Sequence, residues 1–207
     1  MALRIIITAL ASYFLGNHNG AICISLMLGD DVRSHGSGNA GLTNFIRNYG
    51  ANRAFLVIAI DVFKAVLACW LGAVLWAPYG YTLEGKVLAG VAVMLGHDFP
   101  ALLNFKGGKG ILSGVTVALM LDWKLGLLVF AIFLVAYLLT KYVSLGSVLS
   151  AGSFGFFYAW AHPDRIIPMI VGFSLSVLIV WMHRGNIVRL VKGEERKTNL
   201  FGKGKKK

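Results

Sequence analysis

Residues 54–76 read AFLVIAIDVFKAVLACWLGAVLW, an apolar run in which only Asp61 and Lys64 carry charge. A helix rises about 1.5 Å per residue, so a run of this length crosses a hydrocarbon layer of about 30 Å. Working outward, further apolar stretches occupy 3–28, 86–103, 110–121, 124–140, 145–161 and 166–182. Across its 207 residues the chain is 57% hydrophobic and 14% charged, whereas soluble domains keep roughly a quarter of their residues charged. One core of this size cannot hide so many apolar side chains, so the natural solvent is a bilayer. A soluble enzyme, a secreted disulfide scaffold and a disordered binder are excluded.

Cys23 and Cys69 lie inside apolar runs, spaced neither for a metal nor for redox work. No Cys/His cluster has zinc spacing, so no metal and no cofactor are expected. The N-terminus starts like a signal peptide, but its apolar run extends past a typical signal core without a convincing cleavage site. It reads as a first spanning helix.

The expected fold is therefore all-α and membrane-integral, with seven transmembrane helices in a single domain over 1–207. Segment 110–121 alone rises only about 18 Å and must tilt, extend or lie partly buried. With seven crossings, fifteen Lys and Arg fall on one side and four on the other, with Lys64 inside a helix. The positive-inside rule then places 29–53, 104–110, 141–143 and the basic tail 190–207 in the cytoplasm, with the N-terminus outside. The net charge of +11 points to an anionic ligand at the cytoplasmic face, with membrane lipid around the chain and no nucleic-acid partner.

Polar, glycine-rich chemistry gathers on that same side. Gly36-Ser37-Gly38-Asn39-Ala40-Gly41-Leu42-Thr43-Asn44 can turn successive amides into one concavity, with Arg47 close behind to fork onto phosphate oxygens. A flexible turn would also suit its first residues, but a linker gains little from Thr43, Asn44 and Arg47. Phe105-Lys106-Gly107-Gly108-Lys109-Gly110 offers close backbone approach to an anion where a helix begins. It is not a Walker A loop, since Gly110 rather than Ser or Thr follows Lys109. By itself this loop serves equally well as a basic segment that only sets topology. At the end of the last apolar segment, His183, Asn186 and Arg189 share a face if the helix continues. A juxtamembrane helix touching anionic lipid is the plainer reading of that stretch alone. Ser144 and Ser147 add hydroxyls at another cytoplasmic mouth.

The four stretches together, GSGNxGxTNxxR, GHxxPxxxxFKGGKG, KYVSLxS and HRxNIxRLxxGxE, closely resemble the bacterial acyl-phosphate:glycerol-3-phosphate acyltransferases. The resemblance covers essentially the whole membrane body. It implies seven helices, motifs facing the cytoplasm across the bacterial cell membrane, and acyl transfer from acyl phosphate to the 1-hydroxyl of glycerol 3-phosphate. Lysophosphatidic acid and inorganic phosphate would be the products, in the first acylation of phospholipid synthesis. Contact with the enzyme that makes acyl phosphate is also implied. Carried over residue by residue, Ser37, Gly38, Asn39, Thr43, Asn44 and Arg47 contact phosphate and glycerol phosphate. Lys106, Gly107, Gly108, Lys109 and Gly110 cradle the second phosphate. Ser144, His183, Asn186 and Arg189 lie nearest the acceptor, and Ser37, Lys109, His183 and Asn186 form the expected catalytic set. Asp61 and Lys64 match a family pair and read as structural. Where the family has a small Gly-Ser-hydrophobic stretch, this chain has Gly16-Asn17-His18-Asn19-Gly20, so no role passes to His18 or Asn19. His97 and Asp98 are expected to brace the Lys106–Gly110 loop, and His162 reads as an external loop residue.

No Ser-His-Asp set is evident, which favours direct attack by the glycerol hydroxyl over a covalent acyl-enzyme. Arg47, Ser144 and Asn186 would position that hydroxyl, and its proton would pass to His183 or to the departing phosphate. The other large class of glycerol-phosphate acyltransferases needs an Asp four intervening places after a His, which none of the five histidines has. A transporter of an organic phosphate is the rival of a different class. The lack of inverted repeats and the one-sided motifs argue against it.

Overall fold

The computed structural model describes residues 1–198. Within them the chain is all-helical: α1 (Ala2–Gly16), α2 (Gly20–Met27), α3 (Leu42–Tyr49), α4 (Ala54–Trp76), α5 (Thr82–Asp98), α6 (Ile111–Leu121), α7 (Trp123–Thr140), α8 (Val143–Ala161), α9 (Ile166–Met182) and α10 (Arg184–Val191). Among the described residues three helical stretches, Ala51–Tyr79, Thr82–Leu103 and Trp123–Thr140, are long and apolar enough to cross a membrane. The pair α9 and α10, bent by 58°, makes a fourth when taken as one span. Small residues let the helices approach closely in place of interdigitating large ones. A Cβ on Gly96 of α5 would overlap the Tyr13 carbonyl of α1, and one on Gly72 of α4 would overlap the Gly85 carbonyl of α5.

The first apolar stretch is not the continuous helix expected over 3–28. It breaks at Asn17-His18-Asn19, and backbone groups freed at the break find side-chain partners, as an apolar layer demands. Lys64 Nζ donates to the carbonyls of Gly16 (3.3 Å) and His18 (3.0 Å). The amide of Gly20, at the start of α2, donates to Asp61 Oδ1 at 3.1 Å. Asn19 Oδ1 caps α2 by accepting from the Ile22 amide, and Asn17 Oδ1 accepts from Leu102 N. The Asp61–Lys64 pair, 2.7 Å apart and buried, thus fills the gap between two half-helices.

Two other expectations change. The last apolar helix does not continue through His183, which forms the corner between α9 and α10. His162 is not merely a loop residue: its Nε2 lies 2.9 Å from Asp122 Oδ2, and Asp122 also caps the start of α7. That contact ties the α6–α7 connection to the end of α8. Residues 184–191 are helix, and the chain then folds back as far as Thr198. The lysine-rich end, Lys203 to Lys207, lies outside the described residues.

Candidate active site

The loop 32–41 is shaped by Asn44 on the first turn of α3. Its amide nitrogen donates to the carbonyls of Val32, His35 and Asn39, and its Oδ1 accepts from the Ser37 amide. Gly36 and Gly38 take φ of 61° and 71°, a left-handed backbone that favours glycine. Asn44 therefore builds the loop with the atoms expected to meet substrate. Ser37, Asn39 and Thr43 face a cavity of about 700 Å³, and Arg47 reaches it from the next turn of α3.

Opposite, the Lys106–Gly110 loop is held by backbone. The Gly107 amide donates to the Asp98 carbonyl (3.2 Å) and the Gly108 amide to the His97 carbonyl (3.0 Å). So the carbonyls of His97 and Asp98, not their side chains, hold this turn. Gly110 (φ 68°) is the N-cap of α6, so α6 begins where the sequence implied. Lys109 and Gly110 line the cavity; Lys106, Gly107, Gly108 and Gly38 do not. Lys106 is exposed, and its carbonyl accepts from Arg33.

The third side comes from α8, α10 and the returning chain. Ser144, His183, Asn186 and Arg189 all line the cavity, although a bend separates His183 from the other α10 residues. His183 Nδ1 lies 2.9 Å from the Ile179 carbonyl. A carbonyl only accepts, so Nδ1 carries the proton and Nε2 of the neutral ring is left as an acceptor. Lys109 Nζ donates to Asn186 Oδ1, joining the start of α6 to α10. Burial, then the nearby Arg189, pushes the Lys109 ammonium down to about 8.

Glu195 completes this side. Its Oε1 accepts from Ser144 Oγ (3.0 Å) and Asn186 Nδ2 (2.8 Å), and its Oε2 from Arg189 Nε (2.7 Å). Burial works against its ionisation, but those three donors outweigh it and hold the carboxyl below its ordinary range. Arg47 donates to Thr198 Oγ1 and to the Arg196 carbonyl. Sequence reasoning assigned Glu195 no role, although it is the last letter of the fourth motif. It also passed over Asn19, whose position just before Gly20 is a capping signal.

The remaining wall is apolar: Ile58 of α4, Ile111 and Val115 of α6, and Phe130, Phe133 and Leu134 of α7. Phe130 and Ile58 are partly exposed on the outside of the bundle. One cavity therefore joins basic and amide donors to an apolar flank, which suits a ligand with an anionic head and a hydrocarbon tail.

The glycerol-3-phosphate acyltransferase family model matches residues 6–193. A glycerol-3-phosphate acyltransferase of Finegoldia magna is 39% identical over 199 residues, covering 94% of this chain and 96% of the relative. One from Paraburkholderia xenovorans is 36% identical over 191 residues, covering 92% and 89%. Among solved structures, the glycerol 3-phosphate form of PlsY, an integral membrane glycerol 3-phosphate acyltransferase, superposes with a TM-score of 0.85 at 28% identity, covering 96% of this chain and 99% of that one. The lysophosphatidic acid form of PlsY gives 0.82 at 27% identity, with 95% and 96% covered. With its motifs folded around one amphiphilic cavity and a match running nearly end to end, the chain belongs to the glycerol-3-phosphate acyltransferase family.

Proposed function

We propose that this protein transfers a fatty acyl group from acyl phosphate to the 1-hydroxyl of sn-glycerol 3-phosphate, releasing lysophosphatidic acid and inorganic phosphate. The observation that carries this reading is the single cavity in which His183, Lys109 and Asn186 meet an apolar wall. The hydroxyl oxygen attacks the acyl carbonyl carbon and the bond from that carbon to the phosphate oxygen breaks. The hydroxyl proton goes to His183 Nε2 or to the departing phosphate. Lys109 and the α6 N-terminus neutralise the leaving group, an electrostatic term worth a few kcal/mol in comparable sites. Ser37, Asn39, Thr43 and Arg47 bind phosphate from the other side, while Asn44, Gly38, Gly107 and Gly108 shape the two loops. Ser144, Asn186 and Arg189 orient the acceptor.

In this reading the chain is one domain crossing the cytoplasmic membrane seven times. The broken first helix counts as one crossing, the N-terminus lies outside, and the cavity opens to the cytoplasm with its Lys and Arg. Acyl phosphate would come from a neighbouring enzyme at that face. Helix breaks at 17–19 and 183 are a feature shared with transporters, but Lys64 plugs the first. Purified protein given both substrates should release phosphate, and omission of either should abolish release. Flux of organic phosphate into liposomes without acyl transfer would overturn the enzyme reading.

A further inference from the structure

The buried network behind the glycine loop contains a donor that the mechanism above leaves unused. Lys64 Nζ lies 2.7 Å from His97 Nδ1, closer than the 3.5 Å between that nitrogen and Asp61 Oδ1. An ammonium has three donors and no acceptor; its three shortest contacts are Asp61 (2.7 Å), His97 Nδ1 (2.7 Å) and the His18 carbonyl (3.0 Å), and the Gly16 carbonyl at 3.3 Å shares one of those hydrogens. Nδ1 must therefore be the accepting nitrogen, which places the ring proton on Nε2. The hydrogen-bond neighbour of Nε2 is the Asn19 amide nitrogen at 3.4 Å. Asn19 cannot turn to accept: its Oδ1 is held by the Ile22 amide and its Nδ2 by the Ala40 carbonyl. Among the described residues the Nε2–H of His97 thus has no acceptor, in a side chain only 4% exposed. A buried donor without an acceptor costs about 1–3 kcal/mol, so a ligand atom that supplies one is favoured.

The position names the ligand. His97 lines the same cavity as Ser37, Lys109 and Gly110. A Cβ on Gly108 would overlap Nε2, so only a glycine lets the loop pack this closely against the ring's edge. The geometry points to His97 as a further substrate-binding residue, its Nε2–H donating to an oxygen of the phosphate held between the Ser37 loop and the Lys109–Gly110 turn. Lys64 then acts through the ring: by donating to Nδ1 it fixes the tautomer that presents a hydrogen to the anion. This assignment rests on the acyl-transfer reading only for the identity of the phosphate-bearing substrate.

The test uses the full chain in lipid nanodiscs with nitrogen-15 labelled histidine, the His97 signals being assigned by comparison with His97→Phe. Inorganic phosphate is the probe. The expected result is a protonated Nε2 and bare Nδ1, with the Nε2 resonance moving as phosphate saturates. In initial-rate assays His97→Phe should raise the KM of one substrate about ten- to a hundredfold and leave the other nearly unchanged. His97→Gln, which can present an amide N–H near the Nε2 position, should recover part of that loss. A rise confined to acyl phosphate assigns the leaving phosphate, and one confined to glycerol 3-phosphate assigns the acceptor. A bare Nε2, a resonance indifferent to phosphate, or unchanged KM values for both substrates overturns the proposal. If the variants do not fold, the spectrum of the native chain decides. Native protein inactive with both substrates but shifted by phosphate would sink the acyl-transfer reading and leave this site standing.

Discussion

Glu195 Oε2 accepts from Arg189 Nε at 2.7 Å, with the carboxylate side chain only 6% exposed and the guanidinium side chain 42% exposed. The chain beyond α10 returns to the cavity to make this contact, and the other oxygen of Glu195 ties down Ser144 and Asn186. Glu195→Ala removes all three bonds at once. It should lower kcat about tenfold or more while the protein remains folded, and Glu195→Gln should recover part of the loss. Initial rates, with size-exclusion profiles of each variant, check this; full activity in Glu195→Ala would show that the three side chains hold their places unaided.

His183 offers an accepting Nε2 because Ile179 holds the Nδ1 proton. General-base catalysis typically contributes about 10²–10⁴-fold. His183→Ala should cut kcat by that factor and flatten the pH profile. Near-full turnover with an unchanged profile would demote the histidine to positioning and assign the proton to the departing phosphate.

Lys109 predicts the alkaline limb. Its ammonium is pushed down to about 8 by burial and by Arg189, so the free enzyme carries this charge below that pH and loses it above. kcat/KM should therefore fall as pH rises through about 8. Bound phosphate favours the charged form, so the limb in kcat should lie higher than the limb in kcat/KM. Lys109→Arg keeps its charge throughout and should remove the limb, even if its overall rate is lower. A limb unmoved in that variant would assign the titration elsewhere.

Lys64 is a stability determinant as well as the ring's partner. Lys64→Met strands the Asp61 carboxylate and two carbonyls of the first helix. Breaking one side of a buried pair costs about 3–5 kcal/mol. The variant should unfold at a markedly lower temperature in detergent, and Asp61→Asn combined with Lys64→Met should be less damaged than the lysine variant alone. Equal melting of native and variant protein would mean that the pair does not hold the break.

The polar stretches were legible because their residue types and spacings carry chemistry. Ser37, Lys109, His183 and Asn186 face one cavity although they come from three separate parts of the chain. The break at Asn17-His18-Asn19 was hidden because the flanking runs are apolar enough to read as one span. Hydropathy sums side chains and is blind to where backbone bonds end. Glu195 was hidden by the opposite error: its basic neighbours made the segment read as a solvated tail. His97 was singled out as a brace, but its tautomer depends on Lys64 and Asn19, partners far away in sequence that only the fold brings to the ring.

The plugged break also bears on how the protein is made. In lipid the unpaired carbonyls of Gly16 and His18 and the amide of Gly20 would each be costly, and their partners all lie on α4. Lys64 and Asp61 are equally poor passengers in a bilayer by themselves. Neither segment is a self-sufficient membrane element, so the first two apolar stretches must settle into the bilayer as a pair. The 25 residues between them, including the Ser37 loop and α3, are thereby drawn into a closed hairpin before the later helices arrive. One polar wall of the cavity is thus assembled as a by-product of insertion.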